Sequence, residues 1–148
     1  MSDKLIFKAY LPSYKDDCLA LFDDNCPEFF APNERNDYAA FLDSNPVGYE
    51  VCLVGDTVIG AFGLIGDVEE YKHINWILIS SKSQGLGIGS RFIDRAIQAA
   101  KKDELQHIKI AASHLSAPFF AKYGARVIRE IPHGWGANMH RIDMELHL

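Results

Sequence analysis

The stretch HINWILISSKSQGLGIGS, residues His73 to Ser90, joins an apolar run to a glycine-rich loop. The run from His73 to Ser80 is nearly all apolar, which is typical of a central strand buried on both faces. Gly85, Gly87 and Gly89 follow, and apolar residues recur at helical spacing from Ile88 onward. A glycine loop between a strand and a helix N-terminus predicts a phosphate site, because the first helical N–H groups lack backbone partners and glycines let an anion approach them. The alternative interpretation is a tight strand-to-helix turn without a ligand.

The spacing of the loop excludes two common phosphate motifs. A Walker A loop requires a Gly-Lys-Ser/Thr end, and no lysine follows these glycines. A dinucleotide fingerprint has the form G-x-G-x-x-G directly after its strand. Here the form is G-x-G-x-G, and SSKSQ separates it from the strand.

The rest of the chain predicts one α/β domain over residues 1–148. Predicted strands cover 5–10, 49–54, 57–66, 73–80, 107–113, 126–131 and 140–148. One predicted helix starts at Ser13, a short one ends at about Ser44, a third runs from Ile88 to about Lys102, and a fourth runs from Ser116 to Gly124. Ser13 and Asp16 resemble a weak capping box, and Gly55-Asp56 is a hairpin turn signal. The order is β-α-α-β-β-β-α-β-α-β-β. Tight turns join the early strands and a helix joins the fourth to the fifth, which predicts a single mixed, mostly antiparallel twisted sheet with helices on both faces.

Composition narrows the class of protein. The formal charge of −5 argues against a nucleic-acid partner. The cysteines are Cys18, Cys26 and Cys52, an odd number without a C-x-x-C pair, so we expect neither a metal site nor a disulfide framework. Charged residues begin at Asp3 and no apolar run is long enough to span a bilayer, so we expect a cytoplasmic protein with no membrane partner.

Gln84-Gly85-Leu86-Gly87-Ile88-Gly89 fits a known signature: Gln or Arg, two residues, Gly, one residue, then Gly or Ala. With its strand, its helix and the element order, it resembles the GNAT superfamily of N-acetyltransferases over nearly the whole chain. The resemblance implies acetyl-CoA as co-substrate. The loop amides from Gln84 to Ser90, including Leu86 and Ile88, would then bind its pyrophosphate. Ile77 to Ile79 would pair with the pantetheine arm, and an N–H near Leu78 or Ile79 would polarise the thioester carbonyl.

Several basic residues near the loop are candidates for phosphate contacts. They are Lys82, Arg91 and Arg95. Solvated surface charges are the alternative interpretation for all of them.

The resemblance also places candidates for acid–base chemistry. Some family members carry a glutamate eleven residues before the motif glutamine, and that position is His73 here. Imidazole, with a reference pKa of about 6.5, is a suitable base. A surface histidine at a strand end is the alternative, and Glu28, Glu69, Glu70 and His114 stay open as bases.

The family's acid is usually a tyrosine, and this chain departs from that pattern. Aligned on Gly124, Phe120 takes the tyrosine position and Ser113 takes that of an asparagine that contacts pantetheine. Ser116 falls at an alanine. Tyr123, one helical turn later, is the candidate acid, with a packed core tyrosine as the alternative. Phe120 is expected to line the co-substrate site.

The acceptor would contact two further segments. Phe29 and Phe30 lie in the loop between the first two helices, and Trp135 lies in PHGWGANMHRIDM, residues Pro132 to Met144. Trp135 would serve as an apolar wall or a cation–π platform. Core packing is the alternative for all of them. The histidines of this stretch, His133 and His140, lack metal-ligand spacing.

The chain is therefore expected to transfer an acetyl group from acetyl-CoA to a primary amine by direct attack, and the resemblance makes a homodimer possible. The alternatives are a non-catalytic or regulatory CoA-binding module, motivated by Phe120, and a nucleotide-binding protein of another class.

Overall fold

The computed structural model describes residues 4–26, 29–83 and 86–148, and its elements follow the expected order. The strands are β1 (Leu5–Ala9), β2 (Tyr49–Val54), β3 (Thr57–Ile65), β4 (Tyr71–Ile79), β5 (His107–Ser113), β6 (Arg126–Gly136) and β7 (Met139–His147). The helices are α1 (Lys15–Asn25), α2 (Arg35–Asp43), α3 (Ile88–Lys102) and α4 (Ala117–Ala121). Short 3-10 turns occupy Pro12–Tyr14, Pro32–Glu34 and Ser81–Ser83. No helix in these ranges combines the length and the hydropathy that a bilayer crossing requires.

The strands form one seven-stranded sheet in the order β1-β2-β3-β4-β5-β7-β6. Neighbours are antiparallel except β4 and β5, which are parallel. A parallel pair needs a long crossover, and α3 supplies it. The predicted mixed, mostly antiparallel sheet is confirmed.

Helices cover both faces of the sheet, as predicted. On one face, α1 and α2 pack over an aromatic core that includes Phe22, Tyr38 and Tyr49. On the other face, α3 and α4 pack over a core that includes Phe92 and Phe120. The sheet thus lies between two hydrophobic cores. Strand edges that neither core covers can line a site.

Two local predictions were wrong. The first helix starts at Lys15 after a 3-10 turn, and its N-cap, Tyr14, makes no side-chain cap, so Ser13 and Asp16 form no capping box. The predicted loop after Ile131 is mostly strand, because β6 continues to Gly136 and β7 begins at Met139. The turn between them is closed by Asn138, whose left-handed φ of 62° asparagine tolerates better than most residues.

Candidate active site

A bulge in β4 opens the sheet at its centre. Asn75 pairs with Gly63 and Leu78 pairs with Ala61, so β4 holds one extra residue against β3. Trp76 lies in this bulge with a φ of 49°. A bulge bends its strand, and the β4–β5 ladder accordingly ends at the pair Ile74 and Ile110. The carboxyl halves of the two strands diverge and leave a cleft between them.

A buried chain of hydroxyl groups fixes the bulge. The Tyr49 hydroxyl donates to the Trp76 carbonyl oxygen at 2.6 Å, and the Tyr38 hydroxyl lies 2.8 Å from that of Tyr49. Since Tyr49 uses its proton on Trp76, Tyr38 must donate to Tyr49. Burial raises the pKa of Tyr49 well above its ordinary value, so the hydroxyl keeps the proton that it donates.

The cleft belongs to a cavity of about 870 Å³ that reaches from the α1–α2 connection to the start of α3. Its walls come from β4, β5, α3, α4 and the β6–β7 hairpin. The lining residues include Asn25, Phe29, Phe30, Glu34, Asn75, Trp76, Ile77, Ile79, Ser83, Gly87, Ile88, Gly89, Ser90, Ser113, Ser116, Phe119, Phe120, Lys122 and Trp135. Most of the predicted site residues thus surround one space.

The first turn of α3 presents amides to this cavity that have no hydrogen-bond partner among the described residues. Gly87 is the N-cap with a left-handed φ of 73°, and it provides no side-chain cap. Its carbonyl oxygen accepts the N–H of Arg91 at 3.1 Å, so the N–H groups of Ile88, Gly89 and Ser90 precede the first helical hydrogen bond. A Cβ at Gly87 would meet nothing within 4 Å, so the space beside it is open. Gln84 and Gly85 lie outside the described residues, and the side chain of Leu86 is exposed.

Gly89 allows α3 to pack closely against α4. A Cβ there would lie 2.8 Å from the ring of Phe119, too close for any real contact. The absence of a side chain therefore lets α3 approach α4. The sequence predicts that all three glycines lie close to the ligand. For Gly89, the packing of α3 against α4 is an additional reason for the absence of a side chain.

The edge of β4 faces the cleft through alternate residues. Ser80 donates its N–H to the Ile59 carbonyl oxygen, and hydrogen-bonded pairs alternate along an antiparallel ladder. Leu78 therefore faces β3, while Ile77 and Ile79 turn their backbone groups toward the cleft. Leu78 is buried in the aromatic core and does not line the cavity. Of the two residues considered for amide donation to the thioester, the register favours Ile79.

The predicted basic contacts are not at the cavity. Arg95 forms a bidentate pair with Glu50 at 2.7 and 3.1 Å and lies over the ring of Phe7. Arg91 also lies over Phe7, with 5.6 Å to the ring centroid. Lys82 is exposed at the surface. The cation that lines the described cavity is Lys122, directly after α4, which was not among the sequence candidates.

The two residues predicted as base and acid are not among the residues that line the cavity. Much of the His73 side chain on β4 is accessible, and partial desolvation by its neighbours, followed by the charges of Lys109 and Arg141, lowers its pKa. Neither His73 nor Tyr123 is among the lining residues. The Tyr123 hydroxyl instead makes a short hydrogen bond with the Ser90 hydroxyl on the first turn of α3.

The other residues considered as bases are also elsewhere. Glu69 and Glu70 are exposed ahead of β4, and His114 does not line the cavity. Glu28 lies outside the described residues. Among the described residues, Glu34 supplies the carboxyl group in the cavity wall, and it was not among the sequence candidates.

Ser113 and Ser116 shape the start of α4. The Ser113 N–H donates to the Ser116 hydroxyl at 3.0 Å, and the Ser116 N–H donates to the Ser113 hydroxyl at 3.1 Å. Both residues line the cavity, as does Phe120, which is 2% exposed. The ring of Phe120 makes this part of the wall apolar where a tyrosine would have offered a proton.

The far end of the cavity is aromatic. Phe30 stacks on Trp76 with 5.9 Å between the ring centroids, and Phe29 lines the same wall. The Trp135 indole N–H donates to the Ala112 carbonyl oxygen at 2.9 Å. Asn33 donates its amide to the Trp135 carbonyl oxygen, also at 2.9 Å, so the hairpin and the α1–α2 connection hold each other.

Glu34 is the unexpected member of this wall. It is only 5% exposed, and its Oε2 accepts the Ala31 N–H at 2.8 Å. Burial, with a smaller contribution from the charge of Asp37, raises its pKa to about 7, although the Ala31 N–H opposes the rise. A carboxyl group with this pKa exchanges a proton at neutral pH. In sequence, the pattern Ala-Pro-Asn-Glu indicates only a helix start.

The histidines of the hairpin accept hydrogen bonds from backbone N–H groups. The Nδ1 atoms of His140 and His133 accept the N–H groups of His133 and Asn138 at 3.0 and 2.8 Å. The His114 Nδ1 accepts the N–H of His140 at 3.2 Å. Among the described residues, no group of His, Cys, Asp and Glu is arranged to hold a metal ion.

One family model matches most of the chain. A family model described as an acetyltransferase (GNAT) domain matches residues 33–148. A comparison with curated protein sequences finds no match. Among solved structures, Ard1 from Thermoplasma volcanium is similar with a TM-score of 0.82 and 12% identity over 97% of both chains.

Two further solved structures share this architecture. An IAA acetyltransferase from Bacillus cereus has a TM-score of 0.72 and 17% identity, covering 98% of this chain and 100% of its own. An aminoglycoside 6'-N-acetyltransferase complexed with coenzyme A has a TM-score of 0.73 and 14% identity over 96% of both chains. At these identities the likeness supports the fold.

Proposed function

The chain belongs to the acetyltransferase (GNAT) domain family, and from this premise we propose that it transfers an acetyl group from acetyl-CoA to a primary amine. The observation that carries the proposal is the cleft between β4 and β5, which leads directly to the open first turn of α3. A long, thin thioester with a pyrophosphate at one end suits this shape. The coenzyme A in the aminoglycoside 6'-N-acetyltransferase structure supports the same choice of donor.

The residues present fit such a donor. The N–H groups of Ile88, Gly89 and Ser90 would bind the pyrophosphate, favoured by the helix dipole, and Gly87 leaves room for it. The Asn25 amide donates to the Ile79 carbonyl oxygen at 3.1 Å, so the remaining backbone groups of Ile77 and Ile79 would pair with the amide groups of the pantetheine arm. The Ile79 N–H would then be a donor for the oxyanion that forms during acyl transfer.

No tyrosine is among the described lining residues to protonate the departing thiolate, since Phe120 takes the expected tyrosine position and Tyr123 is bonded to Ser90. A thiol has a reference pKa of about 8.5, so its thiolate is a tolerable leaving group near neutral pH. The reaction therefore does not require a protein acid at this step.

Substitution of Gly87 tests the donor site. Asparagine and aspartate both tolerate the left-handed φ of Gly87, so Gly87→Asn is the matched neutral control for Gly87→Asp. A carboxylate about 5 Å from a phosphate charge costs roughly 3 kcal/mol at an effective dielectric of 20. We expect Gly87→Asp to weaken acetyl-CoA binding at least 100-fold more than Gly87→Asn in calorimetric titrations. Equal acetyl-CoA affinity in both variants would show that the pyrophosphate does not bind at this turn.

Turnover tests the transfer itself. The protein is incubated with acetyl-CoA and a library of primary amines, and released CoA and acetylated products are followed by mass spectrometry. Binding of acetyl-CoA without CoA release would favour the non-catalytic CoA-binding module that Phe120 motivates. Binding of NAD or ATP in place of CoA would contradict the proposed donor.

A further inference from the structure

The cavity wall holds very few charged groups. Among the described lining residues, the charged side chains are Glu34 and Lys122. Lys122 directly follows α4, and Glu34 belongs to the α1–α2 connection, as do Phe29 and Phe30. Within the described part of the chain, Glu34 therefore supplies the one carboxyl group at the aromatic end of the cavity, where the acceptor would enter.

No cation among the described residues forms an ion pair with Glu34. Its neighbour Arg35 is paired with Asp23 on the surface, at 2.8 and 3.3 Å. Glu34 Oε2 is held by the Ala31 N–H, and no described residue donates a hydrogen bond to Oε1. A buried carboxylate without a cation is costly, so such a site is suited to a cation that arrives with a ligand.

The groups that face Glu34 come from several elements. Asp37 on α2 carries a like charge, and Cys26 at the end of α1 is a thiol whose pKa is raised by burial and by the charges of Asp23 and Glu34. Lys122, directly after α4, is the cation that lines the same cavity among the described residues. None of the described histidines lines this cavity.

The rings around the carboxyl group define the rest of the ligand. Phe30 and Trp76 are stacked, and Phe22 lies behind them with 5.3 Å between its ring centroid and that of Phe30. Trp135 closes the cavity from the hairpin. Aromatic faces attract an ammonium group and accept apolar surface, but they offer few partners to a second charge or to hydroxyl groups.

We propose that Glu34 receives the ammonium group of the acceptor and takes its proton, and that the acceptor is a primary amine on an apolar or aromatic body. This inference rests on the proposed acetyl transfer. The ammonium gives one proton to the Glu34 carboxylate, and the neutral amine forms an N–C bond to the thioester carbonyl carbon. As the C–S bond breaks, the second proton leaves the nitrogen for the departing sulfur. Glu34 then returns its proton to solvent.

The test compares Glu34→Gln with the wild type, using phenethylamine as the aromatic probe and putrescine as the dicationic one. Gln keeps an oxygen that can accept the Ala31 N–H, and circular dichroism checks that the variant is folded. The wild type should prefer phenethylamine, and its kcat/KM should rise with pH around a midpoint near 7. Glu34→Gln should lose about 10²- to 10⁴-fold in kcat/KM and lose that midpoint, with acetyl-CoA affinity unchanged.

Two further variants separate a catalytic role from a structural one. Glu34→Asp should regain part of the rate together with a pH midpoint. Asp37→Asn removes the like charge next to Glu34, so it should keep the rate and move the midpoint to lower pH. Loss of the midpoint in His73→Ala, or its survival in Glu34→Gln, would overturn the proposal, as would a preference for putrescine.

The outcome also distinguishes this inference from the function on which it rests. An active wild type with an equally active Glu34→Gln variant refutes Glu34 alone. A wild type that releases no CoA with any amine refutes the transfer. In that case calorimetric binding of phenethylammonium to the CoA-bound protein still decides the role of Glu34, and equal affinity in wild type and Glu34→Gln would overturn it.

Discussion

Tyr49→Phe removes the group that holds the β4 bulge, and its cost follows from the bonds that it breaks. The variant loses the 2.6 Å bond to the Trp76 carbonyl oxygen and the acceptor for the Tyr38 hydroxyl at 2.8 Å. Tyr49 is 1% exposed, so water does not replace it freely. Each net hydrogen bond contributes about 1 kcal/mol, and a stranded buried carbonyl costs about 1–3 kcal/mol. The expected loss of unfolding free energy is about 3 kcal/mol, or roughly 6–12 °C in Tm for a chain of this size.

Tyr10→Phe is the matched control for this prediction. Tyr10 lies in the same aromatic core, with 6.0 Å between its ring centroid and that of Tyr49. Its hydroxyl is buried and has no hydrogen-bond partner among the described residues. Removing that hydroxyl should therefore be neutral or stabilising by about 1 kcal/mol.

Urea unfolding and thermal melts of both variants supply the comparison. Tyr49→Phe should also weaken acetyl-CoA binding, because the bulge separates β4 from β5, whereas Tyr10→Phe should not. A loss below about 0.5 kcal/mol in Tyr49→Phe, or equal losses in both variants, would refute the argument that hydroxyl groups hold the bulge.

Two other predictions concern stability. The pKa of Glu34 rises on folding from 4.5 to about 7, so between these pH values the folded state binds the extra proton and stability falls as pH rises. Glu34→Gln should therefore be more stable than the wild type by roughly 3 kcal/mol at pH 8 and gain little at pH 4, and thermal melts showing the same difference at both pH values would contradict this. Gly89→Ala places a Cβ 2.8 Å from the Phe119 ring and should cost about 1–3 kcal/mol in urea unfolding. Most of that cost should disappear in a Phe119→Leu background, and an undiminished cost there would show that the clash is not the cause.

The segments proposed to bind the donor were predictable as strand, loop and helix because they are local in sequence. The apolar run of β4, the glycines and the apolar repeat of α3 are consecutive, and each has a period or spacing that needs no partner to be interpreted. The boundaries of α3 and β5 match the prediction for the same reason. The bulge at Trp76 has no such signal, since an extra residue in a ladder is defined only by the register of the neighbouring strand.

The acceptor side was only partly predictable because it depends on distant contacts. Phe29, Phe30 and Trp135 were expected as acceptor contacts and do line the cavity, although their role remains a prediction. Glu34 looks like an ordinary charged residue at a helix start. It is buried because the hairpin, about a hundred residues later, folds onto its loop through Asn33 and Trp135. Conversely, His73 is a candidate only through its position eleven residues before Gln84, and such a spacing does not determine which side chains enter the cleft.

The contact between the β6–β7 hairpin and the α1–α2 connection, made by Asn33 and Trp135, has an evolutionary consequence. At Gly136 a Cβ would lie 2.6 Å from the Asn33 side chain, so the two segments fit only as a pair. The segment from Tyr71 to Lys102 does not supply the nearest neighbours of a Cβ at Gly136, but its Trp76 stacks on Phe30 of the α1–α2 connection. We therefore expect the hairpin and the connection to change together in related chains, with Trp76 restricting the changes at Phe30.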